Sequence, residues 1–159
     1  CGTIGKEQTL TGTLTKDSRA NKVKVGTSQD KASDDALGIV TVVKPLRKLK
    51  YSPAGRRPYD ATLLEVQLVT GRSHQIRAHL ASIGHPIIGD SKYADPAANS
   101  MNKSLLGDYG LSTQLLHAYR VEFRETVPEL EYLRGRSWTA PLPDRFEAIV
   151  RSMSSQPKG

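Results

Sequence analysis

The stretch that most constrains this chain is Leu63 to Tyr93, LLEVQLVTGRSHQIRAHLASIGHPIIGDSKY. Across Ala61–Thr70, Leu64, Val66 and Leu68 alternate with Glu65 and Gln67, the two-residue period of a strand with one buried face. Gly71 breaks that period. Ser73 stands where a capping residue belongs, and Ile76, Leu80 and Ile83 recur at helical spacing, which predicts a helix over His74–Ile83. Gly84 and Pro86 end it, and Ile87-Ile88 predicts a short strand closed by Gly89-Asp90. A chain built around strand, turn, helix and strand in so few residues is neither an all-helical bundle nor a pure sandwich.

The flanks extend the sheet. Thr9–Thr15 reads as a strand, Lys16–Asn21 as a polar turn, and Lys22–Val25 as the second arm of a hairpin, with its lysines on one face and its valines on the other. Thr27–Asp35 reads as a polar loop. Gly38–Val43 is an apolar strand that Pro45 is expected to stop, leaving Lys44–Lys50 as a basic strip and Tyr51–Pro58 as a loop. Ala94–Gly110 reads as irregular, with DPAANSMNKS as an exposed insertion. Leu115–Phe123 predicts another strand and Trp138–Pro143 an extended segment. A last helix opens at Asp144, and residues 151–159 are expected to form a disordered tail. The fold class is therefore α+β, a mixed and largely antiparallel sheet with short helices, in one domain spanning residues 1–159.

The 159 residues carry 23 Lys and Arg against 16 Asp and Glu, a formal net charge of +7. That balance favours a polyanionic partner, of which nucleic acid is the simplest, although solvated surface charge gives the same number. No apolar run approaches the roughly 20 residues of a membrane span. Cys1 is the single cysteine, so no internal disulfide can form. A reducing, cytoplasmic setting fits, with mitochondrion or plastid as the alternative.

The candidate chemistry is narrow. His74 and His79 are five residues apart, about 140° on a helix, whereas helical metal pairs need i, i+4, so no metal site is expected. No nucleophile-elbow, Walker or dinucleotide fingerprint occurs. What stands out is Thr70-Gly71-Arg72-Ser73-His74-Gln75-Ile76-Arg77, which places two guanidiniums, an imidazole and an amide at a helix N-terminus. Such donors suit a phosphate or another anion. A capped surface helix with solvated arginines explains the residues equally well. Arg77 lies about 100° round from Ile76, at the edge of the packed face.

TGRSHQIRAHLASIGHPIIGDSKY resembles the C-terminal signature of the RluA-type RNA pseudouridine synthases, TGR-[ST]-HQ-[IL]-R followed by H-x-x-x-x-GHPI-x-GD-x-x-Y. Leu115-Leu116-His117-Ala118 and Ala140-Pro141-Leu142-Pro143-Asp144 are similar to two later family features. The resemblance implies the pseudouridine synthase fold and isomerisation of uridine to pseudouridine in RNA, ribosomal RNA first and tRNA as the alternative, without cofactor or metal. It assigns Arg77 as the cation paired with a nucleophilic aspartate and Ile76 as the residue packing beside the target base. Arg72, His74 and Gln75 fall to the RNA backbone or to scaffolding of the site, and Lys44 and Arg47 to RNA contact. The family's upstream H-R-L-D-x-x-[TS]-S-G segment and its K-x-Y-x-A-x-V-x-G strand have no counterpart in these residues, though Cys1-Gly2 could be the tail of the latter. The expectation is that the chain is the C-terminal portion of a catalytic domain, inactive alone and completed by an N-terminal segment or a second chain. A catalytically inactive homologue that binds RNA or the ribosome is the other reading.

Overall fold

The computed structural model describes residues 1–17, 22–26 and 37–154. The β-branched N-terminal segments form a hairpin as expected: β1 (Gln8–Asp17) pairs antiparallel with β2 (Lys22–Gly26), Leu14 opposite Val25. The polar turn expected over Lys16–Asn21 falls largely outside the described residues, as does the loop expected over Thr27–Asp35.

Pro45 does not stop the next strand. β3 runs unbroken from Leu37 to Tyr51 and pairs with β1 through Leu37–Val43 and with β4 (Tyr59–Leu68) through Thr41–Tyr51. Two circumstances let a residue with no N–H sit there. Pairing with β1 has already ended at Val43, and the register against β4 slips between Pro45 and Arg47, a bulge that frees the strand from a regular ladder. The basic strip is thus the second half of a strand. The sheet order is β2-β1-β3-β4, with every pairing antiparallel.

Among the described residues, three α-helices, a 3-10 helix (Pro128–Leu133) and a second small sheet complete the α+β fold. α1 (Gln75–Ser82) covers one half of the main sheet: Leu80 packs with Ile4, Leu10, Val43 and Ile87, and Ala78 with Leu14 and Ile39. The expected stripe of Ile76, Leu80 and Ile83 does face this core. The segment read as an exposed insertion is instead α2 (Pro96–Tyr109), with Ala98, Met101 and Leu105 buried. Its sequence carries ordinary helix punctuation. The Asp95 carboxylate accepts from the Ala98 N–H, Pro96 takes the first turn where an N–H is not needed, and Gly110 closes the helix at φ 64°. α3 (Asp144–Ser154) adds Ile149, Val150 and Met153 to Leu49, Tyr51, Met101 and Leu105. Residues 151–154, expected in the tail, are the last turn of this helix, and residues 155–159 lie outside the described residues.

Of two further expected strands, one is not a strand and the other is short. Ile87-Ile88 is a turn rather than a strand, and Leu115–Phe123 contributes only β5 (Arg120–Glu122), paired with β6 (Ser137–Thr139). Both runs are apolar enough for a strand, but Ile87 and Ile88 are used to fill the core between α1 and α2. A cavity of about 100 Å³ remains under the sheet, bordered by Leu49, Leu64, Ile76, Leu80, Ile87 and Val150.

Candidate active site

The donor-rich octapeptide begins where β4 ends. The N–H groups of Val69 and Thr70 both donate to Val40 O, carrying β4 into the turn, and the Val40 N–H donates to Thr70 Oγ1 at 2.9 Å. Gln75 then locks the turn from inside. Its Nε2 donates to Val40 O and Thr41 Oγ1, and its Oε1 accepts from Thr70 Oγ1 and the Arg72 N–H, all at 3.0 Å. With 2 % of its surface exposed and its amide fully engaged, Gln75 has nothing left to offer RNA. Of the two roles expected for Gln75, RNA contact or scaffolding of the site, its engaged amide has the geometry of scaffolding. Thr41 continues the network to His79, whose Nδ1 lies 2.9 Å from the hydroxyl, and burial holds that imidazole below its ordinary value.

The helix start also differs from expectation. Ser73 is exposed and caps nothing; the capping position is His74, in the left-handed conformation at φ 59° with no side-chain cap. Histidine tolerates that region better than most residues, at a cost on the order of 1–3 kcal/mol. The imidazole is held by Tyr93: Nδ1 lies 3.0 Å from the phenol oxygen and the rings meet edge to face. Burial, then the charges of Arg77 and Lys92, push the His74 pKa down against the opposing pull of Asp90, so it is a neutral hydrogen-bonding group at neutral pH.

Arg77 is the centre of the corner. Its Nε donates to Asp90 Oδ2 at 2.8 Å and its Nη2 to Asp90 Oδ1 at 2.9 Å, a two-pronged pair that fixes the guanidinium plane. Asp90 is wholly buried, whereas 16 % of the Arg77 side chain remains exposed, so the cation emerges from an anchored base. Burial opposes ionisation of Asp90, but the Arg77 pair and the N–H groups of Lys92 and Tyr93 outweigh it and hold the carboxyl below its usual range. Tyr93 supports the same guanidinium from its face, with Arg77 Cζ 5.2 Å from the ring centroid. Its hydroxyl also accepts from the Val23 N–H at 3.0 Å, tying β2 to the corner.

Asp90 and Tyr93 lie within the motif that identified the site, but their roles do not emerge from helical spacing. The signal was an acid thirteen residues after Arg77, which only the turns through Gly84 and Gly89 bring back to it.

Arg72 is exposed beside this corner. Ile76, about 100° round the helix from Arg77, is partly buried against Leu80 and borders the cavity. Lys44 and Arg47 are exposed but distant: at about 3.3 Å per residue, Lys44 lies some four residues along β3 from Val40, which the turn touches. Lys44 also stands opposite Glu65 and Lys50 opposite Asp60, so part of the basic strip is balanced within the sheet. Arg47, opposite Leu63, and Lys48, opposite Thr62, are not balanced in this way. Among the described residues no cluster of metal-ligating side chains occurs.

Comparison with known proteins adds an independent line. The family described as RNA pseudouridylate synthase matches residues 2–82, about half of the chain. The ribosomal large subunit pseudouridine synthase D of Nitrosomonas europaea is 37 % identical over 97 residues, 61 % of this chain and 26 % of that protein. The dual-specificity RNA pseudouridine synthase RluA of Pasteurella multocida is 36 % identical over 91 residues, 57 % of this chain and 36 % of its own length. The tRNA pseudouridine synthase C of Vibrio vulnificus is 35 % identical over 99 residues, 60 % of this chain and 38 % of its own length. The chain thus spans between about a quarter and two fifths of these relatives. Human RNA pseudouridylate synthase domain containing 1 shares the fold, with a TM-score of 0.53 at 18 % identity over 99 % of this chain and 63 % of that one.

Proposed function

Because this chain belongs to the RNA pseudouridylate synthase family, we propose that it forms the arginine-bearing part of a site that isomerises uridine to pseudouridine within RNA. The observation that carries this reading is the anchored guanidinium of Arg77. A nucleophilic carboxylate in a closed, poorly solvated site stays ionised only beside a fixed cation. Asp90 takes Nε and Nη2, which leaves Nη1 outside that pair for a second carboxylate or a charged intermediate. The nucleophilic aspartate and the tyrosine of the K-x-Y-x-A-x-V-x-G strand belong, on this reading, to the portion of the relatives beyond the match, supplied by an N-terminal segment or a second chain.

The target uridine is flipped from its stack to reach the corner, with Ile76 offering apolar surface to the base. Arg72, Arg47 and Lys48 attract the RNA backbone. Ribosomal RNA is the proposed substrate, in keeping with a relative named for the large ribosomal subunit, and tRNA is the alternative outcome of a substrate screen.

The test uses the complete protein. Arg77→Ala is a poor variant, because it strands the buried Asp90 carboxylate. Arg77→Lys keeps the charge and loses the fork, and Arg77→Met with Asp90→Asn removes both charges together. Both are expected to lower turnover by about 100-fold or more, in line with the loss of a positioned electrostatic group, while RNA affinity changes little. Normal turnover in either folded variant would overturn the reading. Full RNA affinity with no turnover even in the wild type would move the protein to the class of RNA-binding homologues.

A further inference from the structure

We infer that Asn102, on α2 and outside the recognised motif, is a positioning residue for Arg77, acting through the Gly89–Asp90 turn; the inference rests on the role proposed above for Arg77. The Asp90 N–H donates to Ile87 O at 3.2 Å and Gly89 has φ +80°, the geometry of a type II turn. In that turn the central peptide, from Ile88 C=O to Gly89 N–H, is flipped relative to the common type I arrangement. Both of its ends are held here. Ile88 O accepts from the Leu115 N–H at 2.8 Å, and the Gly89 N–H donates to Asn102 Oδ1 at 2.7 Å. The turn has no slack, since a Cβ on Gly89 would stand 2.1 Å from Thr113 O.

The residue that leaves this turn is Asp90, the anchor of the guanidinium. A continuous path therefore runs from Asn102 through the Gly89 peptide and the Asp90 carboxylate to Arg77. Without the Asn102 oxygen, the Gly89 N–H is a donor with no partner, and the flipped peptide loses one of its two restraints. Asp90 then no longer has a fixed orientation, and neither does the cation it aims. Displacing a catalytic group by about 1 Å costs up to 100-fold in rate. RNA binding, spread over many phosphates, is not affected in the same proportion.

The side chain itself supplies the control. Asn102 Nδ2 is buried with no hydrogen-bond partner among the described residues, so Asn102→Asp keeps the acceptor and loses no bond, at the cost of a buried charge that its effect on folding stability will register. Asn102→Ala removes the acceptor while placing the best helix former within α2.

In the complete protein, Asn102→Ala is expected to lower kcat by about 10-fold or more with KM for RNA nearly unchanged. Asn102→Asp should restore kcat to near the wild-type value. NMR should show faster hydrogen exchange at Arg77 Nε in Asn102→Ala and not in Asn102→Asp. Unchanged kcat and exchange in Asn102→Ala, with Arg77→Lys impaired, would overturn this inference and leave the role of Arg77 standing. Equal impairment of the Ala and Asp variants, with equally fast exchange at Arg77 Nε in both, would also overturn it, as would a change confined to KM. Normal turnover in Arg77→Lys would remove the premise and the inference with it.

Discussion

The corner around Arg77 and the β5–β6 hairpin hold the same chemical pair in opposite settings. In the corner, one arginine meets one aspartate that has no exposed surface and also accepts two backbone N–H groups. On the hairpin, Glu122 serves both Arg120 and Arg124, with 53 % and 68 % of those arginine side chains exposed, and Arg134 pairs with Glu131 equally far out in solvent. The hairpin shows more ion pairs, yet water and salt screen each of them, and such pairs contribute between about 0 and 1 kcal/mol. Breaking a buried pair costs about 3–5 kcal/mol, because the survivor is left without compensation. Burial, and not the number of contacts, separates the arginine that can be aimed from those that only keep a surface wet.

The comparison can be broken most directly at Asp90. Asp90→Ala removes the fork partner of Arg77 and the acceptor for the Lys92 and Tyr93 amides, and a loss of about 3–5 kcal/mol is expected in chemical denaturation. A loss below 1 kcal/mol would place the corner in the same class as the hairpin.

Acid sharpens the contrast. Asp90 is held below the ordinary carboxylate value of 3.8, so the stability it confers is present above that pH and is lost as pH falls through its depressed folded value. Stability measured against pH should therefore show the gap between wild type and Asp90→Asn closing below about pH 4. His74 and His79 are also depressed, from the ordinary 6.5, so both proteins should lose stability together as pH drops below that value. A gap that persists in strong acid would show that Asp90 acts by shape and not by charge.

The smallest effect belongs to Glu122→Ala. It removes the partner of two arginines and is still expected to change stability by less than about 1 kcal/mol. A larger loss in thermal melts would mean the hairpin's charges are coupled to packing that their exposure does not suggest.

The sequence by itself determined the hairpin of β1 and β2, the strand β4 and the apolar stripe of α1, and it singled out Arg77 as the arginine to follow. Each of these depends on local period, on turn residues or on a contiguous motif, and all such signals are written within a few residues of one another. Where they were misread, a local rule met a tertiary exception. Pro45 should end a strand, yet it sits where one neighbour has already departed and the other slips register. DPAANSMNKS looked like an exposed insertion, although its Asp95-Pro96 starts a helix once Ala98, Met101 and Leu105 have a core to fill. For Gln75 the sequence left RNA contact and scaffolding open, and the choice came only when the ends of β3 and β4 closed around its amide. Only the tertiary structure decided which acid Arg77 meets and what holds that acid in place. Arg77, Asp90 and Asn102 are separated by turns whose geometry follows from glycine φ angles and buried N–H groups. Chain spacing cannot encode the directions that those turns impose.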